Sequence, residues 1–124
     1  MGKQMKYDNS RYKKGLWSEY LAMILLTFKG YEVLAHRFGK GRKGSLGEID
    51  LIAKKGKTIC FIEIKYRKKY DTAAFSISQT QKQRIRNNAL FFIKQNEKFS
   101  NYTFRFDAFL FSSTTLPKHL KNVF

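Results

Sequence analysis

Apolar and polar positions alternate with a period of two over Tyr31–Phe38, Glu48–Ala53, Thr58–Tyr66 and Tyr102–Phe111, which predicts four strands. Two other stretches follow a helical period. The first runs from about Ser10 or Arg11 to Lys29, with Gly30 in the usual stop position. The second covers about Ser78–Gln95 and buries Ile85, Ala89, Phe92 and Ile93. In the first helix Trp17, Tyr20, Leu21, Ile24 and Phe28 form one stripe, and Gly15, Ala22, Met23 and Leu26 lie on the other side. A helix this apolar all round is expected to be buried on two sides. The last residues, His119–Phe124, are expected to add a short helix. The Lys54–Lys57 turn predicts antiparallel pairing of the second and third strands. A helix between the third and fourth strands fits a parallel crossover. The expected fold is α/β (α+β): a mixed sheet flanked by helices, in the order helix, three strands, helix, strand. Residues 1–124 form one domain in this reading, with residues 1–10 a flexible basic lead.

Charge changes the picture most. The chain has 25 Lys and Arg against nine Asp and Glu, a formal net charge of +16. Self-repulsion on that scale points to a polyanionic partner, nucleic acid first. An anionic membrane surface would call for a basic amphipathic helix. Here the basic residues fall in connections and strand ends, so no membrane partner is expected. Arg37, Lys40, Arg42, Lys43, Arg67, Lys68, Lys82, Arg84 and Arg86 are the candidate phosphate contacts. The Gly39–Gly44 turn lacks the Lys-Ser/Thr ending and following helix of a nucleotide loop. The single cysteine, Cys60, allows no internal disulfide and reads as a small buried side chain. The longest apolar run, Leu21–Phe28, is too short to span a bilayer, and no signal peptide is visible at the polar start. A cytoplasmic location is expected.

The scarce acids mark the candidate chemistry. Glu48 and Asp50 share one face of the second strand, and Glu63 and Lys65 share one face of the third. Ile49, Leu51, Ile62 and Ile64 should point the other way. A hairpin turning near Lys55-Gly56 sets Asp50 almost opposite Glu63. Two carboxylates at that range repel, and a hard divalent cation such as Mg²⁺ relieves the conflict. Lys65 then faces the same volume and can stabilise charge developing on a phosphate. An exposed strand face is the plainer reading of Glu63 and Lys65 alone; the combination with Asp50 favours a shared site. Glu48 either extends that site or holds the basic loop. Glu19 is the only charged residue between Lys14 and Lys29. It is either a member of the site, or it pairs with a lysine or caps a backbone amide. His36 and His119, the only histidines, read as packed residues rather than bases.

These residues carry a resemblance. Asp50 with Glu63-Ile64-Lys65 resembles the D…(D/E)-x-K signature of restriction-endonuclease-like nucleases. More closely, Gly15–Glu19, Gly30-Tyr31, Gly47–Ile52, Phe61–Arg67, Lys82–Ile85 and Arg105–Asp107 resemble the YraN-like family of small proteins regarded as endonucleases. Archaeal Holliday-junction resolvases are similar in layout. The likeness implies Asp50, Glu63 and the Ile64 carbonyl as ligands of Mg²⁺ (or Mn²⁺), Lys65 as the catalytic lysine and Glu19 as an outer metal-site acid. Ile49 departs from the wider signature, where many members have Pro. The implied activity is metal-dependent phosphodiester hydrolysis, with DNA favoured over RNA and branched or junction DNA within range. The alternative is a non-catalytic nucleic-acid-binding module on the same fold. A homodimer is compatible with either, and Phe109 and Phe111 are either an interface or core.

Overall fold

The computed structural model describes residues 17–39, 48–67, 77–112 and 116–124. Residues 17–28 form helix α1. Strands β1 (Glu32–Phe38), β2 (Ile49–Lys55) and β3 (Thr58–Arg67) follow, then helix α2 (Gln79–Gln95), β4 (Thr103–Ser112) and β5 (Lys118–Leu120). The five strands make one sheet in the order β1-β2-β3-β4-β5. Only the β3–β4 pair is parallel, and α2 supplies the crossover that such a pair needs.

Local chemistry sets the element ends. Gly30, at φ +91°, ends α1, and the Tyr31 N–H returns to the Leu26 carbonyl at 2.9 Å. Gly56, at φ +58°, turns the basic hairpin between β2 and β3. The Ser78 hydroxyl caps α2 by accepting from the Gln81 N–H at 3.1 Å. The sheet lies between two apolar layers. On one side α1 packs Ala22 and Leu26 over Leu51, Ala53, Cys60, Ile62, Phe109 and Phe111. On the other, Ile85, Ala89 and Phe92 of α2 cover Ile49, Ile52, Ile59 and Phe61. Phe109 and Phe111 are therefore core. Cys60 is buried as expected, and burial pushes its thiol up to about 11.

Three expectations are corrected. First, α1 is buried on one side only. Its small-residue side, with Ser18, Glu19, Ala22 and Leu26, faces the sheet, while Trp17, Tyr20, Ile24 and Phe28 face outward. Second, Ile49 and Leu51 do not share a layer: Ile49 packs under α2 and Leu51 under α1. The strict alternation slips at Asp50, between them. Third, the C-terminal stretch forms β5 rather than a helix, pairing antiparallel with β4 through Ala108↔Leu120 and Phe109↔His119. The reason is Asp107, which is fully buried. Its carboxylate accepts from Arg105 Nε at 2.9 Å and Nη2 at 2.9 Å, from His119 Nε2 at 2.8 Å and from the Asn122 N–H at 2.9 Å. Among the described residues, no helix is long and apolar enough to cross a membrane.

Candidate active site

The β2–β3 ladder runs out to Leu51↔Ile62, and Asp50 and Glu63 are the next residues of the two strands. Here the Asp50 side chain takes a strand amide itself: Oδ2 accepts from the Ile64 N–H at 2.7 Å. That bond fixes Asp50 against β3 and brings its carboxyl into contact with Glu63. Both lie at the end of the sheet in a cleft of about 240 Å³ lined by Ser18, Glu19, Asp50, Glu63, Ile64 and Tyr66. Lys65 Nζ stands 3.8 Å from Glu63 Oε1. The two side chains are largely enclosed, at 17% and 10% exposure, so this pair is shielded from water more than a surface ion pair is.

Burial raises the Asp50 carboxyl to about 6, against the pull of the Ile64 N–H. Burial, followed by the charge of Asp50, raises Glu63 to about 8. Such a pair shares a proton near neutrality, and its steps belong to the pair rather than to either residue. A cation can take the place of that proton. Mg²⁺ asks for one or two carboxylates, with oxygens of water and substrate completing its shell. Asp50, Glu63 and the Ile64 carbonyl fit that demand as a donor set.

Glu19 is brought to the same cleft by α1 but is already engaged. Its Oε1 accepts from His36 Nε2 at 2.6 Å and Arg37 Nε at 3.0 Å, and its Oε2 accepts from Arg37 Nη2 at 2.9 Å. Burial raises the Glu19 carboxyl, but the Arg37 and His36 bonds outweigh it and hold it below the ordinary value. Arg37 reaches Glu19 from a left-handed backbone, φ +55°, a conformation that a non-glycine residue keeps only when its surroundings impose it. Among the described residues, no three His, Cys, Asp or Glu side chains converge as a ligand cluster. Glu19 thus lines the same cleft as Asp50 and Glu63, with its carboxylate bonded to Arg37 and His36.

Other expected residues are placed differently. Glu48 lies against Gly39, where a Cβ would come within 3.0 Å of the Glu48 Cγ and 3.3 Å of its Cα. The cleft lining does not include it. Arg37, expected at phosphate, is turned onto Glu19. On α2, Lys82 is half-exposed and Arg84 exposed. Arg86 lies over the Phe124 ring at 6.0 Å. Arg67 ends β3. Lys40, Arg42, Lys43 and Lys68 lie outside the described residues. Sequence reasoning gave no site role to His36, Ser18 or Tyr66. His36 is one strand position before Arg37 on the element facing Glu19; a lone buried acid on α1 was the one signal that such partners had to exist.

Residues 18–111 match the Uncharacterised protein family UPF0102. The chain belongs to this family. A UPF0102 protein of Nitrobacter winogradskyi is 37% identical over 110 residues, covering 89% of this chain and 90% of the relative. One from Rhodopseudomonas palustris strain BisA53 is 38% identical over 109 residues, covering 88% and 81%. The UPF0102 protein amb4503 of Paramagnetospirillum magneticum is 35% identical over 108 residues, covering 87% and 84%. UPF0102 is the YraN family, as the motifs around Glu19, Asp50 and Glu63 imply. Among solved structures, Hjc from Archaeoglobus fulgidus, a Holliday junction resolvase, superposes with a TM-score of 0.57. The match covers 86% of this chain and 75% of that one at 16% identity. The UPF0102 chain thus has the restriction-endonuclease-like fold expected from its sequence.

Proposed function

We propose that this UPF0102 protein is a divalent-metal-dependent endonuclease that hydrolyses phosphodiester bonds, DNA in preference to RNA, in the cytoplasm. The observation that carries the reading is the enclosed contact between Asp50 and Glu63 with Lys65 at its edge. The fold shared with a junction resolvase supports it. So does a net charge of +16, which draws a polyanion toward a cleft whose own acids would repel it.

Each residue then has a task. Asp50, fixed by the Ile64 N–H, and Glu63 would hold Mg²⁺ or Mn²⁺ together with the Ile64 carbonyl. When bound, the ion lowers the pKa of a water and offsets charge on the phosphate. Lys65 lies next to Glu63, where an ammonium stabilises the extra negative charge of the pentavalent transition state and orients the attacking water. Glu19, kept ionised by Arg37 and His36, accepts from water in the outer part of the site. Half-exposed Lys82 and exposed Arg84 contact backbone phosphates.

The test is cleavage of labelled linear, flapped and four-way DNA with Mg²⁺ or Mn²⁺. Lys65→Met and Asp50→Asn are expected to lower the rate by at least about 10²-fold, the scale of losing one transition-state contact, while DNA binding survives. Binding without cleavage of any substrate with either ion contradicts the enzyme reading and leaves a binding module.

A further inference from the structure

The outward face of α1 is apolar and uncharged in a chain that is 27% charged. Trp17, Tyr20, Ile24 and Phe28 are 71%, 51%, 51% and 86% exposed. At these spacings they fall on one stripe, about 80° wide, along the helix. A shallow apolar groove of about 410 Å³, lined by Met23, Ile24, Thr27, Phe28 and Val33, runs beside it. The one charged residue within residues 17–28 is Glu19, and it points inward onto Arg37 and His36. A contiguous exposed patch of this kind marks an interaction surface.

Charge decides the occupant. Nucleic acid selects surfaces that offer Lys or Arg to phosphate, and this stripe offers none. Two copies of a +16 chain repel wherever their cations meet, so they can associate only through a face without charge. The stripe also reads nearly the same from either end. A two-fold axis crossing α1 between Ala22 and Met23 sets Trp17 against the partner's Phe28 and brings Tyr20 within one residue of the partner's Ile24. A self-complementary patch is what a two-fold dimer requires.

We propose that the Trp17–Tyr20–Ile24–Phe28 face of α1 is the interface of a two-fold homodimer, formed by antiparallel packing of the two α1 helices. The assignment does not depend on catalysis. Interface and cleft lie back to back on one helix, whose inner face carries Glu19.

Salt separates this contact from nucleic-acid binding. Screening weakens repulsion between two cationic copies, so the dimer tightens as salt rises, whereas binding to phosphate loosens. Sedimentation equilibrium of nucleic-acid-free protein is expected to give twice the 14.6 kDa chain mass. The dissociation constant should fall several-fold between about 0.1 M and about 0.5 M salt. Ile24→Glu, at a half-exposed position, should give a monomer with an unchanged circular dichroism spectrum. Trp17→Glu should do the same. Adding Phe28→Lys to Trp17→Glu should restore the dimer, because the antiparallel register sets the new acid against the new base. A wild-type monomer at all salt concentrations overturns the proposal, as does a dimer that survives Ile24→Glu. So does an Ile24→Glu variant of unchanged mass that loses affinity for DNA, which would hand the stripe to nucleic acid. A double variant that stays monomeric overturns the antiparallel register.

Discussion

Asp50 and Glu63 are held in contact in an enclosed cleft, and without a cation the molecule carries the cost of their repulsion. The sign follows from the direction of the shift. Glu63 has its folded pKa raised from 4.5 to about 8, so the folded state holds this proton more tightly than the unfolded chain does. The stability tied to it is full below pH 4.5 and is lost as pH rises through about 8. Glu63→Gln removes that loss. In metal-free buffer the variant is expected to be more stable than wild type at pH 8.5 by about 1–2 kcal/mol, and no more stable near pH 4.5. Urea unfolding at the two pH values checks it, and a variant less stable at pH 8.5 would contradict it. Asp50, Glu63 and Lys65 were legible as neighbours because a short hairpin joins their strands, but the slip of alternation at Asp50, whose side chain accepts from the Ile64 N–H, was not. Nor were the partners of Glu19. They depend on a left-handed backbone at Arg37, which turns a residue of β1 toward α1 and which no strand pattern implies.

At the scale of elements, α2 and the strands followed their periodicity apart from slips at Asp50 in β2 and between Val33 and Ala35 in β1. Helix α1 did not, and the cause is physical. With apolar residues nearly all round, period alone cannot choose the buried face. Close packing chose it: the side bearing Ser18 and Ala22 lets the helix approach the sheet, and the bulky Trp17, Tyr20 and Phe28 are left outside. The C-terminal element was misread for a different reason. Its conformation is set by Asp107, more than ten positions away in sequence, rather than by local propensity. Burial raises the Asp107 carboxyl, but the bonds from His119 and Arg105 outweigh it and hold it at about 2. This is the opposite case to Glu63: the stability is present above pH 3.8 and is lost as pH falls through about 2. Asp107→Asn leaves Arg105 and His119 without their charge partner and is expected to cost about 3–5 kcal/mol near neutrality. The difference from wild type should shrink below pH 4, and thermal unfolding across that range measures it. A loss under about 1 kcal/mol would mean that the network is not what ties β5 to the sheet.

For the whole molecule, the layout of a sheet between two helices persists between this chain and the Archaeoglobus resolvase at 16% identity. A shared layout at that identity requires only that the apolar residues keep pattern and volume. The +16 charge acts on the same scale. It concentrates phosphate around the molecule, while four of the nine acids gather in the cleft and the Asp107 clasp. The proposed metal-dependent cleavage requires an enclosed carboxyl pair of this kind within a cationic surface. The most direct measurement is calorimetric titration of the metal-free protein with Mn²⁺ at pH 7, in two buffers of different ionisation enthalpy. One ion is expected to bind per chain with release of about one proton, as the cation replaces the one shared by the pair. Asp50→Asn should abolish binding, and Glu63→Gln should weaken it and end the proton release. Absence of Mn²⁺ binding at millimolar concentration, or binding indifferent to Asp50→Asn, would contradict the account.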